Sequence, residues 1–435
     1  MSTRDFLKPA MQAINIDDDG RACEDIPESA CQQEAGNAFR HIVSLGLSKS
    51  ADGLIDPKLV LSWLMNALGA PQWMIGLLVP IRESGALLPQ LLTAGYLRSL
   101  PQRKWVWAIG AAFQGLGAIS IGLAGLYLDG VVSGAVILIA LAVLALARSV
   151  CSVSYKDVLG KTVDKESRGS VTGLAGSASA IIVIIYALTL STGLVDRMPL
   201  VLTGLFLAGA AWLSGSALFT TLREEKGATE GGKNAIDAAI ENIRYLKTEP
   251  QLRRFILTRG LLTATALAPP FMVTAASGEG QQAFEGLGFL VLASATSSLV
   301  SSFVWGWLSD RSSRKVLILS AMLAAVALGV TVLLQAFGVL SAPFVLPVML
   351  FALMIAYQGV RLGRSTHLVD MANEETRAAF TALSNTIIGI LLLAGGLFGL
   401  VASVFGVFAV LTIMAIMCVL AIIPALGLEE VQSAE

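Results

Sequence analysis

Charged residues are scarce in this chain: only 14% of its 435 residues are Asp, Glu, Lys or Arg. Hydrophobic residues make up 55%, and the mean hydropathy is +0.73, which a soluble domain rarely reaches. The formal net charge of −1 also lacks the basic surplus of a nucleic-acid-binding protein, so no nucleic acid partner is expected. The composition predicts an all-α membrane protein that crosses the lipid bilayer many times.

Histidine, cysteine and phosphate-binding motifs are scarce as well. The two histidines, His41 and His367, are too few for a structural zinc site or a histidine-based catalyst, so neither a metal nor a cofactor is expected. No Gly-x-x-x-x-Gly-Lys-Ser/Thr loop is present, which argues against ATP hydrolysis as an energy source. The four cysteines lie in the tail, near span ends or inside a span, where no disulfide is expected.

Long apolar runs are what the chain has instead. Twelve runs of about 20 residues are each long enough to cross a bilayer as a helix. Residues 235–246 of the connection between the sixth and seventh runs have isoleucines at helical spacing, which predicts an amphipathic helix on the inner leaflet. The predicted organisation is a polar acidic tail (1–37), a six-helix half (38–222), a linker (223–253), a second six-helix half (254–427) and a short tail (428–435).

The distribution of basic residues predicts the orientation. If both termini are cytoplasmic, 24 of the 30 Lys and Arg residues fall in the tail or in cytoplasmic loops, and four fall within spans. Only two, Lys58 and Arg197, then lie outside. Because short loops rich in Lys and Arg stay inside, the opposite orientation is rejected.

Two related decapeptides divide the chain. Gly306 to Lys315 reads Gly-Trp-Leu-Ser-Asp-Arg-Ser-Ser-Arg-Lys, between two apolar runs, and Gly95 to Lys104 reads Gly-Tyr-Leu-Arg-Ser-Leu-Pro-Gln-Arg-Lys. The copies begin 211 residues apart, about half the chain, which indicates a duplication. The earlier copy has Ser99 where the later one has its acidic residue.

The later decapeptide resembles the signature loop of the major facilitator superfamily, with Ser313 in place of the family's second glycine. The resemblance implies twelve transmembrane helices in two pseudo-symmetric six-helix halves, and transport of a small molecule by rocking of the halves. It also implies a permease-type monomer in a bacterial inner membrane. Coupling to a proton is a separate hypothesis, which rests on the depth of Asp52 and Glu83 in their spans. The resemblance further implies that the loop latches the halves, with Asp310 accepting hydrogen bonds from the eleventh span and pairing with Arg361 or Arg364. The latch residues on this match are Gly306, Asp310, Arg311, Arg314, Lys315, Gly95, Arg103, Lys104 and Arg364.

Charges inside spans are costly and therefore mark candidate transport residues. Asp52 lies 12 residues beyond Arg40, and Glu83 lies 12 residues before Gly95, so both are expected about 18 Å deep. Lys49 shares a helix face with Asp52, and Arg148 is a candidate partner of Glu83. Either carboxyl could exchange a proton or could only be ion-paired, and Arg148 and Arg259 could snorkel to the surface. The family's cavity-lining spans add Arg361, and the pathway candidates are Lys49, Asp52, Arg82, Glu83, Arg148, Arg259 and Arg361.

The function remains open among three interpretations. Four basic candidates against two acidic ones favour symport of an organic anion. A proton antiporter that exports amphipathic compounds is the second, although the Gly-Pro signature of many exporters is absent from the fifth span. A transport-inactive sensor or assembly factor on the same fold is the third. A membrane-embedded enzyme is not predicted, because no nucleophile, base and orienting residue occur at useful spacing.

Overall fold

The computed structural model describes residues 26, 28–90, 99–227, 243–278, 286–340, 342, 344–373 and 376–432. Every regular element in these ranges is a helix, which confirms the predicted all-helical fold. The helices before residue 228 are α1 (Glu28–Cys31), α2 (Glu34–Ile55), α3 (Val60–Ala67), α4 (Gln72–Ile75), α5 (Leu78–Leu87), α6 (Lys104–Tyr127), α7 (Gly130–Thr162), α8 (Lys165–Ser191) and α9 (Arg197–Thr220). Those after residue 242 are α10 (Tyr245–Thr248), α11 (Pro250–Leu261), α12 (Ala264–Gly278), α13 (Leu287–Arg311), α14 (Ser313–Ala336), α15 (Val345–Met371), α16 (Arg377–Ala394), α17 (Leu397–Phe405) and α18 (Val407–Leu426).

Nine segments of the described chain are long and apolar enough to cross a membrane. They are α6, α7, α8, α9, the α11–α12 pair, α14, α15, the α16–α17 pair and α18. The other three predicted spans correspond to α2, to the α4–α5 pair and to α13. Helix α2 carries Lys49 and Asp52, and α4 and α5 are separated by two residues, so charge and interruption lower the apolar signal at these positions.

The two halves pack on each other in a pseudo-symmetric manner. Helix α8, the fifth predicted span, packs on α13, the eighth predicted span. The second predicted span packs on the eleventh through the pairs α5–α16 and α4–α17. Exchanging the halves interchanges these two sets of contacts, as expected for a duplicated transporter-like bundle. Helix α3, which belongs to neither set, packs on α12.

The contacts between the halves include close ones at one end of the bundle. We call this end, where α2 finishes at Ile55, the distal face, and the end where α2 begins at Glu34 the terminal face. A Cβ at Gly76 would lie 2.5 Å from the Cα of Gly399, so two glycines bring α4 and α17 together. At Gly288 a Cβ would lie 2.3 Å from the backbone nitrogen of Ser191, so α13 and α8 also meet there. Helix backbones in contact seal the distal face.

Helix α3 corrects a prediction. Residues 59–69 connect the first two predicted spans, and the sequence predicts only a connection outside the membrane there; Leu61, Leu64 and Met65 of this connection have 0% exposed surface. The segment is apolar enough to bury, and Asn66 donates a hydrogen bond of 3.1 Å to Thr274 in the other half. Because α3 fills the space between the halves, the connection is part of the distal seal.

Two further expectations concern the tail and the linker. No disulfide was expected, but Cys31 is disulfide-bonded, while Cys151 and Cys418 are buried free thiols. That expectation rested on the redox state of the compartment and did not consider whether the fold brings two sulfurs within bonding distance. Most of the helix predicted at 235–246 lies outside the described residues.

Candidate functional site

A charged cavity of about 430 Å³ lies between the two halves. Its first-half wall comes from α2, the connection to α3, α5, α7 and α8, and its second-half wall comes from α13 and α15. This volume is within the range of small-molecule sites. The charged lining residues are Lys58, Arg82, Arg148, Arg361 and Arg364, and Asp52, Asp56 and Glu83. The described lining therefore carries two more positive than negative side chains.

Asp52 is the centre of the first-half charge cluster, which we define as Asp52, Arg82 and Arg148. One carboxylate oxygen lies 2.7 Å from an Arg82 nitrogen, and the other lies 2.7 Å from an Arg148 nitrogen. Arg148 also donates a 3.3 Å hydrogen bond to the hydroxyl of Ser48. Asp52 is thus shared by two arginines, and both of its oxygens are used.

Close helix packing brings these side chains together. Gly85 on α5 faces Ala145 on α7, where an added Cβ would lie 2.8 Å from the Ala145 Cβ. Since long arginine side chains bridge helices that approach this closely, Arg82 and Arg148 reach Asp52 from two directions. Asp52 is only three residues before the end of α2, so it lies towards the distal face.

Two predicted pairings are wrong. Lys49 does not pair with Asp52; its ammonium donates a 3.3 Å hydrogen bond to the backbone carbonyl of Thr172 on α8. Arg148 pairs with Asp52 and not with Glu83. Both errors have one cause. Arg82 on α5 and Arg148 on α7 occupy the two oxygens of Asp52, so Asp52 has no free oxygen for Lys49 and Arg148 does not pair with Glu83.

Glu83 pairs instead with Lys58, which was predicted to lie outside. The ammonium of Lys58 is 3.4 Å from a Glu83 oxygen and 3.6 Å from the ring centroid of Tyr357 in the second half. A cation over an aromatic face is attracted by the ring, so Lys58 joins the two halves at the cavity wall. The sequence contained a signal that Lys58 lies at the cavity wall. The largely apolar residues 59–65 follow it directly and favour burial of this part of the chain.

Two arginines on α15 differ from those of the first-half cluster. Arg361 is exposed to the cavity and Arg364 is half-buried, and neither forms an ion pair within 4 Å in the described part of the chain. The guanidinium carbon of Arg361 lies 5.9 Å from the Tyr357 ring centroid. Their spacing of three residues puts both on one face of the helix. We call Arg361 and Arg364 the α15 arginine pair.

A second chamber of about 410 Å³ shares Ser298, Gln358 and Arg361 with the central cavity. It continues along α13 and α15 to Gly306 and Ser365, close to the ends of these helices at the terminal face. The central cavity therefore has a polar continuation towards the terminal face, whereas the distal face is sealed.

Arg259, like Lys49, is a predicted pathway residue that lines neither chamber. It is 5% exposed and donates hydrogen bonds of 2.8 Å to the Ser384 hydroxyl and 2.9 Å to the Asn385 side-chain oxygen on α16. The side chain neither lines the cavity nor snorkels. It ties α11 to α16 inside the second half.

The later decapeptide forms a very tight hinge. Helix α13 ends at Arg311 and α14 begins at Ser313, with Ser312 accepting a 3.1 Å hydrogen bond from the Lys315 backbone as the N-cap. The Arg311 guanidinium lies 3.7 Å from the ring centroid of Trp307. The side chain of Asp310 and all of Gly95 lie outside the described residues, and Arg364 of the predicted latch lines the central cavity.

The earlier decapeptide ends on an acid that sequence reasoning missed. The Glu224 carboxylate accepts hydrogen bonds of 2.9 Å from the Arg103 backbone and 2.8 Å from the Lys104 backbone. It also lies 3.2 Å from the ammonium of Lys161, while Arg103 pairs with Asp157. The earlier decapeptide has Ser99 at the position of the later copy's aspartate. Glu224, which follows the end of α9, places a carboxylate at this hinge instead.

The second half has a related arrangement after its last span. Glu430 accepts a 2.6 Å hydrogen bond from the Ser312 hydroxyl, and Gln432 accepts one of 2.9 Å from the Ser313 backbone. The sequence pattern Leu-x-Glu, which occurs at Leu222 and at Leu428, could have revealed both glutamates. In the structure both leucines are buried, and each is followed by a glutamate at its hinge.

Comparisons with known proteins bear on the fold. No family model matches the sequence, and no curated protein matches it either. Among solved structures, a mutant of the nucleoside transporter NupG superimposes with a TM-score of 0.70 at 14% identity, over 90% of this chain and 99% of that chain. The D-xylose-proton symporter gives 0.63 at 12% identity, over 91% and 98%. A POT family transporter in complex with 5-aminolevulinic acid gives 0.65 at 11% identity, over 91% and 96%. Likeness at these identities shows the fold alone.

Proposed function

We propose that this chain, which has the fold of the major facilitator transporters, is a secondary active transporter that moves a small molecule across a membrane by alternating access. The observation that carries the proposal is the charged cavity between the halves, lined by both, with close helix contacts at the distal face. A site at the interface of two repeats is what rocking of the halves exposes to each side in turn.

The orientation follows from the distribution of basic residues. The terminal face carries the hinges and linker with most of the Lys and Arg, so we assign it to the cytoplasm, with both chain ends inside. Lys58, one of the two exceptions, lines the cavity, which strengthens this assignment. The conformation is then inward-facing. We propose a monomer in the inner membrane of a bacterium.

The charge of the cavity supports an organic anion as substrate. Lys49 and Arg259, two of the four basic residues in the sequence argument, lie outside the cavity lining, but Lys58 and the α15 arginine pair replace them. Arginine binds carboxylate and phosphate groups in a bidentate manner, so the lining offers suitable donors.

Proton coupling is assigned to the two deep carboxylates, Asp52 and Glu83, which both line the cavity. Each has basic partners, since Asp52 contacts Arg82 and Arg148 and Glu83 contacts Lys58. Rearrangement of these ion pairs as the halves rock would let either carboxylate exchange a proton. Accumulation against a gradient by both Glu83→Gln and Asp52→Asn would remove this part of the proposal.

The loop at Gly306, Asp310, Arg311, Arg314 and Lys315 is proposed to latch the halves in the outward-facing state. The tight turn between α13 and α14 supports this, because it holds the loop at the terminal face. Asp310→Asn should raise the labelling of single cysteines on the cytoplasmic side, and unchanged labelling would contradict the latch.

The test uses the detergent-purified protein and then proteoliposomes. A panel of organic anions, lipophilic cations and neutral metabolites at two pH values is screened for a rise in melting temperature, since a ligand that binds the folded state stabilises it. Stabilising compounds are then tested for flux driven by a proton gradient. Anion uptake supports the proposal, export of lipophilic cations replaces it with antiport, and binding without flux of any ligand indicates a sensor.

A further inference from the structure

We infer that the ligand of the central cavity is a dianion, a phosphate monoester or a dicarboxylate, bound chiefly by Arg361 and Arg364 in the second half. The inference rests on the proposed transport function, and it adds the substrate class and the half that binds the charge. The basis for the inference is that some positive charges of the cavity already have a carboxylate partner in the protein and others do not.

The first-half charges of the lining balance, because Lys58, Arg82 and Arg148 are matched by Asp52, Asp56 and Glu83. Asp52 lies between Arg82 and Arg148, at 2.7 Å from each, and these side chains are 15–29% exposed. Glu83 lies 3.4 Å from Lys58, which also contacts the Tyr357 ring. A ligand that used Arg82 or Lys58 would have to displace a carboxylate of the protein.

The α15 arginine pair forms no ion pair within 4 Å among the described residues. Glu83 acts electrostatically on both arginines, but its ion pair is with Lys58. Both side chains line the cavity, and their three-residue spacing places their Cβ atoms about 5–6 Å apart on one helix face. Two guanidinium groups at that separation can share one phosphate or can each bind one carboxylate of a short dicarboxylate. The neighbouring Gln358 also lines the cavity.

Closure of the terminal face would make it energetically unfavourable for Arg361 and Arg364 to lack a carboxylate partner. In the described conformation water can solvate Arg361, which is exposed. When the halves close, two buried and unpaired guanidinium groups would carry a large desolvation penalty. The lining has a surplus of two positive charges, and a dianion cancels it, whereas a monoanion leaves one arginine unpaired. The charge balance therefore selects two negative charges.

The test compares ligands of similar size and different charge. Methyl phosphate is compared with dimethyl phosphate, and succinate with its monomethyl ester, by titrated melting temperature of the full-length protein in detergent. We expect the dianion of at least one pair to bind at least tenfold more tightly. Preference for methyl phosphate should increase from pH 5.5 to 7.5, because its second ionisation lies near pH 6. The pair that responds identifies the chemical source.

Substitutions of single arginines distinguish binding at Arg361 and Arg364 from a general effect of the protein's positive charge on anion binding. Arg364→Gln should weaken binding of the preferred dianion about tenfold or more and change binding of its monoanionic match by less than about threefold, since one charge-assisted bidentate contact is lost. Arg361→Gln should act similarly, and the double variant should lose the preference. Arg377→Gln removes an exposed arginine at the start of α16 and serves as the charge-matched control, with no expected effect on binding.

The outcomes distinguish the inference from the transport proposal. Equal affinity for monoanion and dianion, or a dianion preference that survives in the double variant, overturns the inference. Flux of neutral or monoanionic compounds without dianion binding would keep the transporter and reject the dianion. Dianion binding that depends on both arginines, without flux of any compound, would keep this site and reject transport. Melting of each unliganded variant confirms that it is folded.

Discussion

The two halves share one fold but treat their charges in opposite ways. In the first half, Asp52 is bonded to Arg82 and Arg148, so the deep charges form a compensated cluster. In the second half, Arg361 and Arg364 line the same cavity without an ion pair in the described chain. A charge within a span can therefore be structural or functional, and its partners decide which.

Breaking the compensated cluster should have the largest effect. Asp52→Asn leaves Arg82 and Arg148 without their shared carboxylate, and we expect a loss of about 3 kcal/mol in the free energy of unfolding. Arg361→Gln removes a cation that has no carboxylate partner, so it should change stability by less than about 0.5 kcal/mol. Both are measured by denaturant unfolding in the same detergent.

The two substitutions together test the comparison. Equal stability of Asp52→Asn and Arg361→Gln would show that the first-half cluster does not compensate its charges as the distances indicate. The double substitution Asp52→Asn with Arg148→Gln should recover part of the loss, because it leaves one unpaired arginine where the single variant leaves two.

The hinges provide a second comparison between the halves, with an intermediate effect. Glu224 is buried and accepts from two backbone amides and Lys161, whereas Glu430 is exposed and accepts from one hydroxyl. We expect Glu224→Gln to cost about 1–2 kcal/mol and Glu430→Gln no more than about 0.5 kcal/mol. Equal costs in denaturant unfolding would mean that the two carboxylates support their hinges equally.

The fold was predictable because its signals are periodic and repeated. Apolar runs of bilayer length and two decapeptides 211 residues apart specify helices and a duplication without any knowledge of contacts. The helix α3 was missed because residues 59–69 read as a connection between two spans, although residues 59–65 are largely apolar. Burial between two halves is a tertiary property, and a hydropathy pattern does not distinguish it from a short connection.

The candidate site was predictable in its residue types but not in its pairings. Depth along each span drew attention to Asp52 and Glu83, and both line the cavity. Which cation reaches which carboxylate depends on helix rotation and on close approaches such as that of Gly85 to Ala145, and neither is encoded in spacing along one helix. Arg259 shows the same limit, since its partners Ser384 and Asn385 are more than 120 residues away.

Substitution of Lys58 should have the smallest effect and tests how the two halves are joined, because Lys58 contacts side chains of both halves. It pairs with Glu83 of its own half, contacts Tyr357 of the other, and immediately precedes the helix that fills the distal seal. Lys58→Met keeps the length of the side chain and removes the charge, so it should loosen the contact between the halves and raise thiol labelling at Leu68→Cys severalfold. Cys23 and Cys31 are replaced by serine in this background.

Lys49→Met is the matched control for that measurement. Lys49 is also a cation of the first half, but its one described hydrogen bond, to the Thr172 carbonyl, stays within that half. We expect its loss to change both labelling and stability only slightly, by less than about 1 kcal/mol in the free energy of unfolding. If both variants raise labelling equally, the distal seal depends on the total charge of the first half. If only Lys58→Met does, the seal depends on the contacts of Lys58 with Glu83 and Tyr357, and an anion that competes for Lys58 would open the distal face from within the cavity.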